Sequence, residues 1–297
     1  MDFYNSLQNI TKAVKDEPMK LYTSFKIGGS ADYIAFPQNA EEIKSIITLC
    51  RDADMPFVVL GNGSNVLVSD DGIEGVVIKI SENMSAVKVD GNEIYAEAGI
   101  LLSALARTAE RESLTGLEFA SGIPGTLGGA VVMNAGAYGG EMKDVITKVG
   151  YIDSDGNIKE ADAGICGFGY RKSIFADSDK IVLYCYMNLE KGDRDEIKST
   201  MAELNQRRRD KQPLHQLSAG STFKRPEGYF AGKLIEDCGL KGFKIGGAEV
   251  SEKHSGFVVN ADNASAEDVK KLIAEVQRIV KEKFDVELET EVKFLGR

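Results

Sequence analysis

The stretch from Phe119 to Gly140 carries no charged residue and is long enough to cross a lipid bilayer. Its glycines argue against that use. Gly122, Gly125, Gly128, Gly129, Gly136, Gly139 and Gly140, with Pro124, would dismantle a helix there. Backbone so rich in glycine is folded tightly around something, either the flat face of a ligand or helix packed closely on sheet.

A second glycine loop lies earlier in the chain. Ile43, Ile46, Ile47 and Cys50 recur at helical spacing, and the apolar run Phe57–Leu60 that follows reads as a buried strand. Gly61-Asn62-Gly63-Ser64-Asn65 comes directly after it, where glycine lets backbone N–H groups turn toward a ligand and Ser and Asn add donors. Such a nest suits a pyrophosphate, although a loop of this kind taken alone is a plain turn most of the time. The spacing is not Gly-x-Gly-x-x-Gly, and no helix follows, because Val66-Leu67-Val68 reads as a short strand and Asp70-Asp71-Gly72 as a turn. A Rossmann dinucleotide site is thereby disfavoured.

Further strands are expected at Val76–Ile80, Ala86–Val89, Ile94–Ala98, Ile146–Asp153 and Ile181–Leu189, with a helix over Leu101–Arg111. The first two-thirds is thus a strand-rich α+β region. A polar helical stretch from Asp193 to Lys211 runs to Pro213 and reads as a connection, which gives a first domain over 1–200 and a second over 201–297. The second has a helix near Tyr229–Cys238, strands near Ala248–Ser251 and Gly256–Asn260, and a helix after Ser265. That helix puts Val269, Leu272, Ile273, Val276, Ile279 and Val280 on one face, behind a capping box of Ser265 and Asp268. Val286, Leu288, Thr290, Val292 and Phe294 then alternate with charged residues as a half-covered strand would.

A formal net charge of −10 over 297 residues argues against duplex nucleic acid or an anionic membrane as partner. The one basic run, Arg207-Arg208-Arg209 with Lys211, reads as a solvated helix end complementing the helix dipole. Cys50, Cys166, Cys185 and Cys238 are far apart, which fits reduced thiols and no zinc site; no metal is expected. The first twenty residues lack a continuous apolar core, so a cytosolic protein is expected. Oligomeric state is not legible.

Several segments, in order, resemble the UDP-N-acetylenolpyruvoylglucosamine reductase family. They are Thr23–Asp32, Gly61–Asn65 with Asp70-Asp71-Gly72, Gly122–Gly129 with Met133–Gly139, Gly169–Phe175, Ser218–Pro226, Leu234–Gly242 and Val250–Asn260. The resemblance implies an FAD-binding domain of the vanillyl-alcohol-oxidase type, built of two α/β subdomains, followed by a smaller α/β substrate-binding domain. It also implies NADPH-dependent reduction of an enolpyruvyl group on a UDP-linked amino sugar, for peptidoglycan precursor synthesis. FAD contacts are then expected at Gly61, Asn62, Gly63, Ser64 and Asn65, at Gly122, Ile123, Pro124, Gly125, Thr126, Gly128 and Gly129, and at Asn134, Ala135 and Gly136. Asn65 closes the loop and no His or Cys lies near it, so FAD is expected to be non-covalent.

Hydride delivered to the terminal carbon of an enolpyruvyl ether leaves charge on the neighbouring carbon and its carboxylate, to be stabilised and then protonated. Arg171, among Phe168, Tyr170 and Phe175, suits a bidentate carboxylate clamp, and otherwise reads as a structural ion pair. By the resemblance, Ser221 is the proton donor and Glu291 the acid that helps stabilise or protonate the enol. Tyr138, Lys224 and Arg225 are candidate contacts for the UDP-sugar. The chain resembles the shorter form of the family, without a lid insertion. An FAD-dependent oxidase or dehydrogenase of a sugar or hydroxy acid on the same fold is the alternative.

Overall fold

The computed structural model describes residues 2–297, which form two compact units. One comprises residues 2–14, Tyr33–Asn62 and Val76–Arg208; the other Lys15–Asp32, Gly63–Gly75 and Arg209–Arg297.

In the first unit a five-stranded antiparallel sheet has the order Ile158–Asp162, Ile146–Ile152, Ile181–Asn188, Glu93–Glu97, Val87–Asp90. Its register places Val149 opposite both Ala161 and Cys185, and Cys185 opposite Ala96. All four are buried, so one sheet face enters the core. The other face carries Tyr95, Tyr184 and Tyr186, whose ring centroids lie 5.2–5.9 Å apart. Phe57–Leu60 pairs in parallel with the end of the strand Ile73–Lys79, Leu60 opposite Lys79. The helix Ala40–Asp52 precedes it, capped by Asn39, with Ile43, Ile46, Ile47 and Cys50 buried. The expected strands and the helix at Leu102–Arg111 are all present, with bounds shifted by a residue or a few.

The glycine-rich segment keeps one short helix, Leu127–Val132, contrary to the expectation that glycine would remove helix throughout. Gly128 lies inside it because the helix packs tightly: a Cβ there would stand 3.0 Å from that of Ala98. No helix is long and apolar enough to cross a membrane among the described residues.

The second unit has a four-stranded antiparallel sheet, Leu217–Ser218, Val258–Asn260, Ala248–Val250, Lys244–Ile245. The helix Ala266–Phe284 buries Val269, Leu272, Ile273, Val276 and Val280, and its Ser265/Asp268 capping box forms as expected. Asp70, from the turn after the first glycine loop, also caps it, accepting from the N–H groups of Ala266 at 2.8 Å and Glu267 at 3.1 Å. That turn therefore belongs with the C-terminal residues, and the unit is assembled from three stretches of chain.

The strand expected over Val286–Phe294 does not form as one element. Only Lys293–Leu295 is a strand, parallel to Val66–Val68, and Thr290 makes a single bridge to Phe223. Asp285 takes a left-handed conformation at the helix end, and the chain beyond it serves two different pairing partners. Leu288 and Val292 are buried, whereas Phe294 is exposed.

Candidate functional site

In the first unit the two glycine loops meet. The Asn62 side-chain amide donates to the Pro124 carbonyl at 2.6 Å, and the Thr126 hydroxyl oxygen stands 2.4 Å from where a Cβ on Gly61 would be, so only glycine fits there. Beneath the loop, the buried Lys79 ammonium donates to the Gly61 carbonyl at 2.5 Å. Burial lowers the Lys79 pKa. Gly125 and Gly128 hold the second loop to the neighbouring chain: the Gly125 carbonyl accepts from Leu102 N–H, and Gly128 N–H donates to Ala98. Ile123 N–H donates to the Ala120 carbonyl. The Gly129 carbonyl accepts from Met133 N–H, the bond that ends the short helix.

Arg171 sits in a tight turn closed by reciprocal main-chain bonds between Gly169 and Lys172, at φ 53°. A non-glycine residue there costs roughly 1 kcal/mol or more, and such strain concentrates at functional positions. Tyr170 lies beside the guanidinium, ring centroid 5.1 Å away, and Gly136 accepts from it at 3.4 Å. Asn134, fully buried, holds the turn: its amide donates to the Gly169 carbonyl at 3.0 Å and to the Glu141 carboxylate at 2.9 Å, and its oxygen accepts from Lys143 N–H. The hydrogen bond from Lys143, with those from Asn134 and the charges of Lys143 and Arg171, holds the Glu141 carboxyl below the usual carboxylate range. Ala135 is similarly committed, its N–H to Ala130 and its carbonyl to Met142. The groups of Asn134–Gly136 named here thus build the setting of Arg171.

Tyr138 and Gly139, both at positive φ, form the tip of the hairpin Gly136–Ala137/Gly140–Glu141. The exposed Tyr138 ring has the Arg207 guanidinium 5.1 Å above it. The basic run departs from its solvated reading at Arg208. Burial lowers its pKa, and its Nε is buried with no hydrogen-bond partner among the described residues. Arg208 also crowds Gly122, where a Cβ would meet its side chain at 3.2 Å. The missed signal is helical phase: Met201, Leu204, Asn205 and Arg208 share the less exposed stripe of Arg194–Lys211.

In the second unit, residues 222–224 run antiparallel to 289–291. Glu291 N–H donates to Thr222 at 2.8 Å, Lys224 N–H to Glu289 at 2.8 Å, and Phe223 bridges Thr290. Ser221, half-buried, therefore enters this ladder one residue before the partner of Glu291, and its hydroxyl has no protein partner among the described residues. Asn65 ties the first loop to the same place, donating from its side chain to the Glu291 carbonyl at 3.1 Å. Ser64 follows, its carbonyl 4.0 Å from a Cβ built on Gly220. Gly63, at φ 64°, accepts from Ser24 N–H. Glu291 is half-buried, whereas Glu287, Glu289 and Lys293 are exposed, which separates it from its neighbours in a way that alternation alone did not. Lys224 pairs with Glu289 at 2.9 Å on the surface. Arg225 lies over the Phe230 ring at 4.0 Å and donates to Tyr229 at 3.2 Å.

Residues 31–162 match the family described as FAD binding domain, and residues 212–295 that described as UDP-N-acetylenolpyruvoylglucosamine reductase, C-terminal domain. Relatives named UDP-N-acetylenolpyruvoylglucosamine reductase include one from Caldanaerobacter subterraneus subsp. tengcongensis, 55% identical over 98% of this chain and 97% of its own length. Another, from Clostridioides difficile, is 50% identical over 99% and 98%. The crystal structure of the reductase from Thermus caldophilus superposes with a TM-score of 0.81 at 36% identity, covering 96% of this chain and 98% of that one. Phl p 4.0202, a glucose dehydrogenase, matches 65% of this chain and 45% of its own at TM-score 0.50 and 17% identity, a likeness of fold alone. An FAD-binding region followed by the reductase's own C-terminal domain, with identity of half or more sustained over nearly the full length, places the chain in the UDP-N-acetylenolpyruvoylglucosamine reductase family of FAD-dependent oxidoreductases.

Proposed function

We propose that the protein reduces UDP-N-acetylglucosamine enolpyruvate to UDP-N-acetylmuramate with NADPH, in the cytoplasm, as a step of peptidoglycan precursor synthesis. The observation that carries this reading is Arg171, held in a strained left-handed turn by the fully buried Asn134. An arginine is kept there against the backbone's preference, which fits a planar clamp for the enolpyruvyl carboxylate better than a structural ion pair.

The residues present fit FAD. The N–H groups of Gly61 and Asn62 have no protein acceptor among the described residues, and Arg208 Nε is unpaired near Gly122. FAD contacts are assigned to Gly61–Asn65, Gly122–Thr126, Gly128, Gly129 and Asn134–Gly136, with residues 1–200 as the cofactor domain, whose Arg171 and Tyr138 also serve the substrate, and 201–297 as the substrate domain. The family matches at 31–162 and 212–295 support that division. When bound there, FAD would supply the hydride-transfer chemistry that links NADPH to the terminal carbon of the enolpyruvyl group. Arg171 binds the substrate carboxylate as charge grows on it. Ser221 gives a proton to the carbon beside that carboxylate, and Glu291 stabilises or helps protonate the enol. Tyr138, Lys224 and Arg225 contact the UDP-sugar. The exposed Lys224–Glu289 pair contributes about 0–1 kcal/mol, so Lys224 is readily redirected to a diphosphate.

An absorbance spectrum of purified protein followed by anaerobic NADPH tests the reading. Flavin should bleach with NADPH and recover on addition of the enolpyruvyl substrate, and acid should release it into the supernatant. Reduction by a sugar or hydroxy acid with recovery in air would indicate the oxidase alternative instead.

A further inference from the structure

Lys79 ends the strand Ile73–Lys79 and is 8% exposed. A buried ammonium is costly unless an opposite charge compensates it. No carboxylate pairs with Lys79 among the described residues, and its one hydrogen bond is the one to the Gly61 carbonyl. Glu82 is the one acidic group that acts on it, and at longer range.

The partner is informative. A trans peptide points its C=O and N–H in opposite directions. Fixing the Gly61 carbonyl on Lys79 therefore turns the Asn62 N–H of the same peptide to the other side, and that N–H has no protein acceptor among the described residues. The Thr126 hydroxyl oxygen also lies close against Gly61. One side of the loop thus carries a buried positive charge with no ion pair among the described residues, and the other an unsatisfied donor.

We propose that Lys79 is a cofactor-binding residue: its buried ammonium supplies, through the Gly61–Asn62 peptide, the positive charge that the FAD pyrophosphate requires, and it fixes that peptide with its N–H toward the phosphate. This rests on the flavoprotein reading and adds to it a residue outside both glycine loops. A charge kept in the interior without a partner is compensated only when an anion binds, so the cofactor-free protein bears its cost.

The test uses the full chain stripped of flavin. FAD and riboflavin, which lacks the phosphates, are titrated by fluorescence into wild type, Lys79→Met and Lys79→Gln, and thermal unfolding of each flavin-free protein is recorded. Glutamine can still donate to Gly61 but carries no charge. Both variants should bind FAD at least tenfold more weakly, with a flatter salt dependence, bind riboflavin within twofold of wild type, and unfold at the wild-type temperature or higher. FAD affinity within twofold of wild type in either variant overturns the proposal. So does equal weakening of FAD and riboflavin with a lower unfolding temperature, which would make Lys79 a structural strut. A wild-type protein that takes up no FAD would instead refute the flavoprotein reading beneath it.

Discussion

The Asn65 side-chain amide donates to the Glu291 carbonyl at 3.1 Å, and the Asn65 carbonyl accepts from Lys293 N–H at 3.0 Å. The last residue of the first glycine loop thus holds the main chain on either side of Val292, next to the residue assigned to the enol. Asn65→Ala should cost about 1 kcal/mol of stability, the net worth of one such hydrogen bond. It should also slow flavin reoxidation by substrate about tenfold while FAD stays bound. Calorimetry and stopped-flow absorbance measure the two effects; loss of FAD without slower reoxidation would place Asn65 with the cofactor alone.

Arg171 combines backbone strain with a charged head, so two substitutions separate them. Arg171→Gly relieves a left-handed φ worth roughly 1 kcal/mol, and should leave the unfolding temperature unchanged or raised although it deletes a side chain. Arg171→Lys keeps the charge and the strain but loses the planar fork. Turnover of both should fall at least a hundredfold with flavin retained. An Arg171→Lys enzyme within twofold of wild type would reduce the residue to a structural role.

Much of this was legible in the sequence because short-range signals agreed. The Ser265/Asp268 capping box, the buried stripe from Val269 to Val280 and the strand–loop–strand around Gly61–Asn65 need only local chemistry, and all form. What was not legible depends on distant partners. Val286–Phe294 alternates like a strand, but Phe223 takes Thr290 while Val66–Val68 takes Lys293–Leu295, and no local pattern encodes that division. Arg208 reads as one of three surface arginines until the inward stripe of its helix is traced. Asn134 reads as a loop residue at a flavin wall; its bond to Gly169 depends on a turn 35 residues away.

The Glu141 carboxyl, held below the usual range chiefly by the Lys143 hydrogen bond and then by Asn134, makes stability depend on pH. Its folded pKa is lower than its unfolded value of about 4.3, so its contribution is full above that value and is lost as pH falls through the folded pKa. Glu141→Gln should therefore be less stable than wild type by about 1–2 kcal/mol near pH 7, with the gap closing on acidification. Urea unfolding of both proteins across pH 3–7 checks this; a gap that stays constant would remove the carboxylate charge from the account.

Ser221→Ala, followed by stopped-flow flavin absorbance under anaerobic conditions, tests the proposed chemistry most directly. The Ser221 hydroxyl is half-buried and makes no protein hydrogen bond among the described residues, so its removal disturbs little packing. Hydride transfer from NADPH needs no proton at the substrate carbon, so bleaching should proceed at a near-normal rate. Reduction of the enolpyruvyl ether needs that proton, and a positioned acid typically contributes about 10²–10⁴-fold, so reoxidation by UDP-N-acetylglucosamine enolpyruvate should slow by that factor. Reoxidation at the wild-type rate would contradict the assignment of Ser221 as the donor, and equal slowing of both halves would contradict the separation of hydride and proton on which it rests.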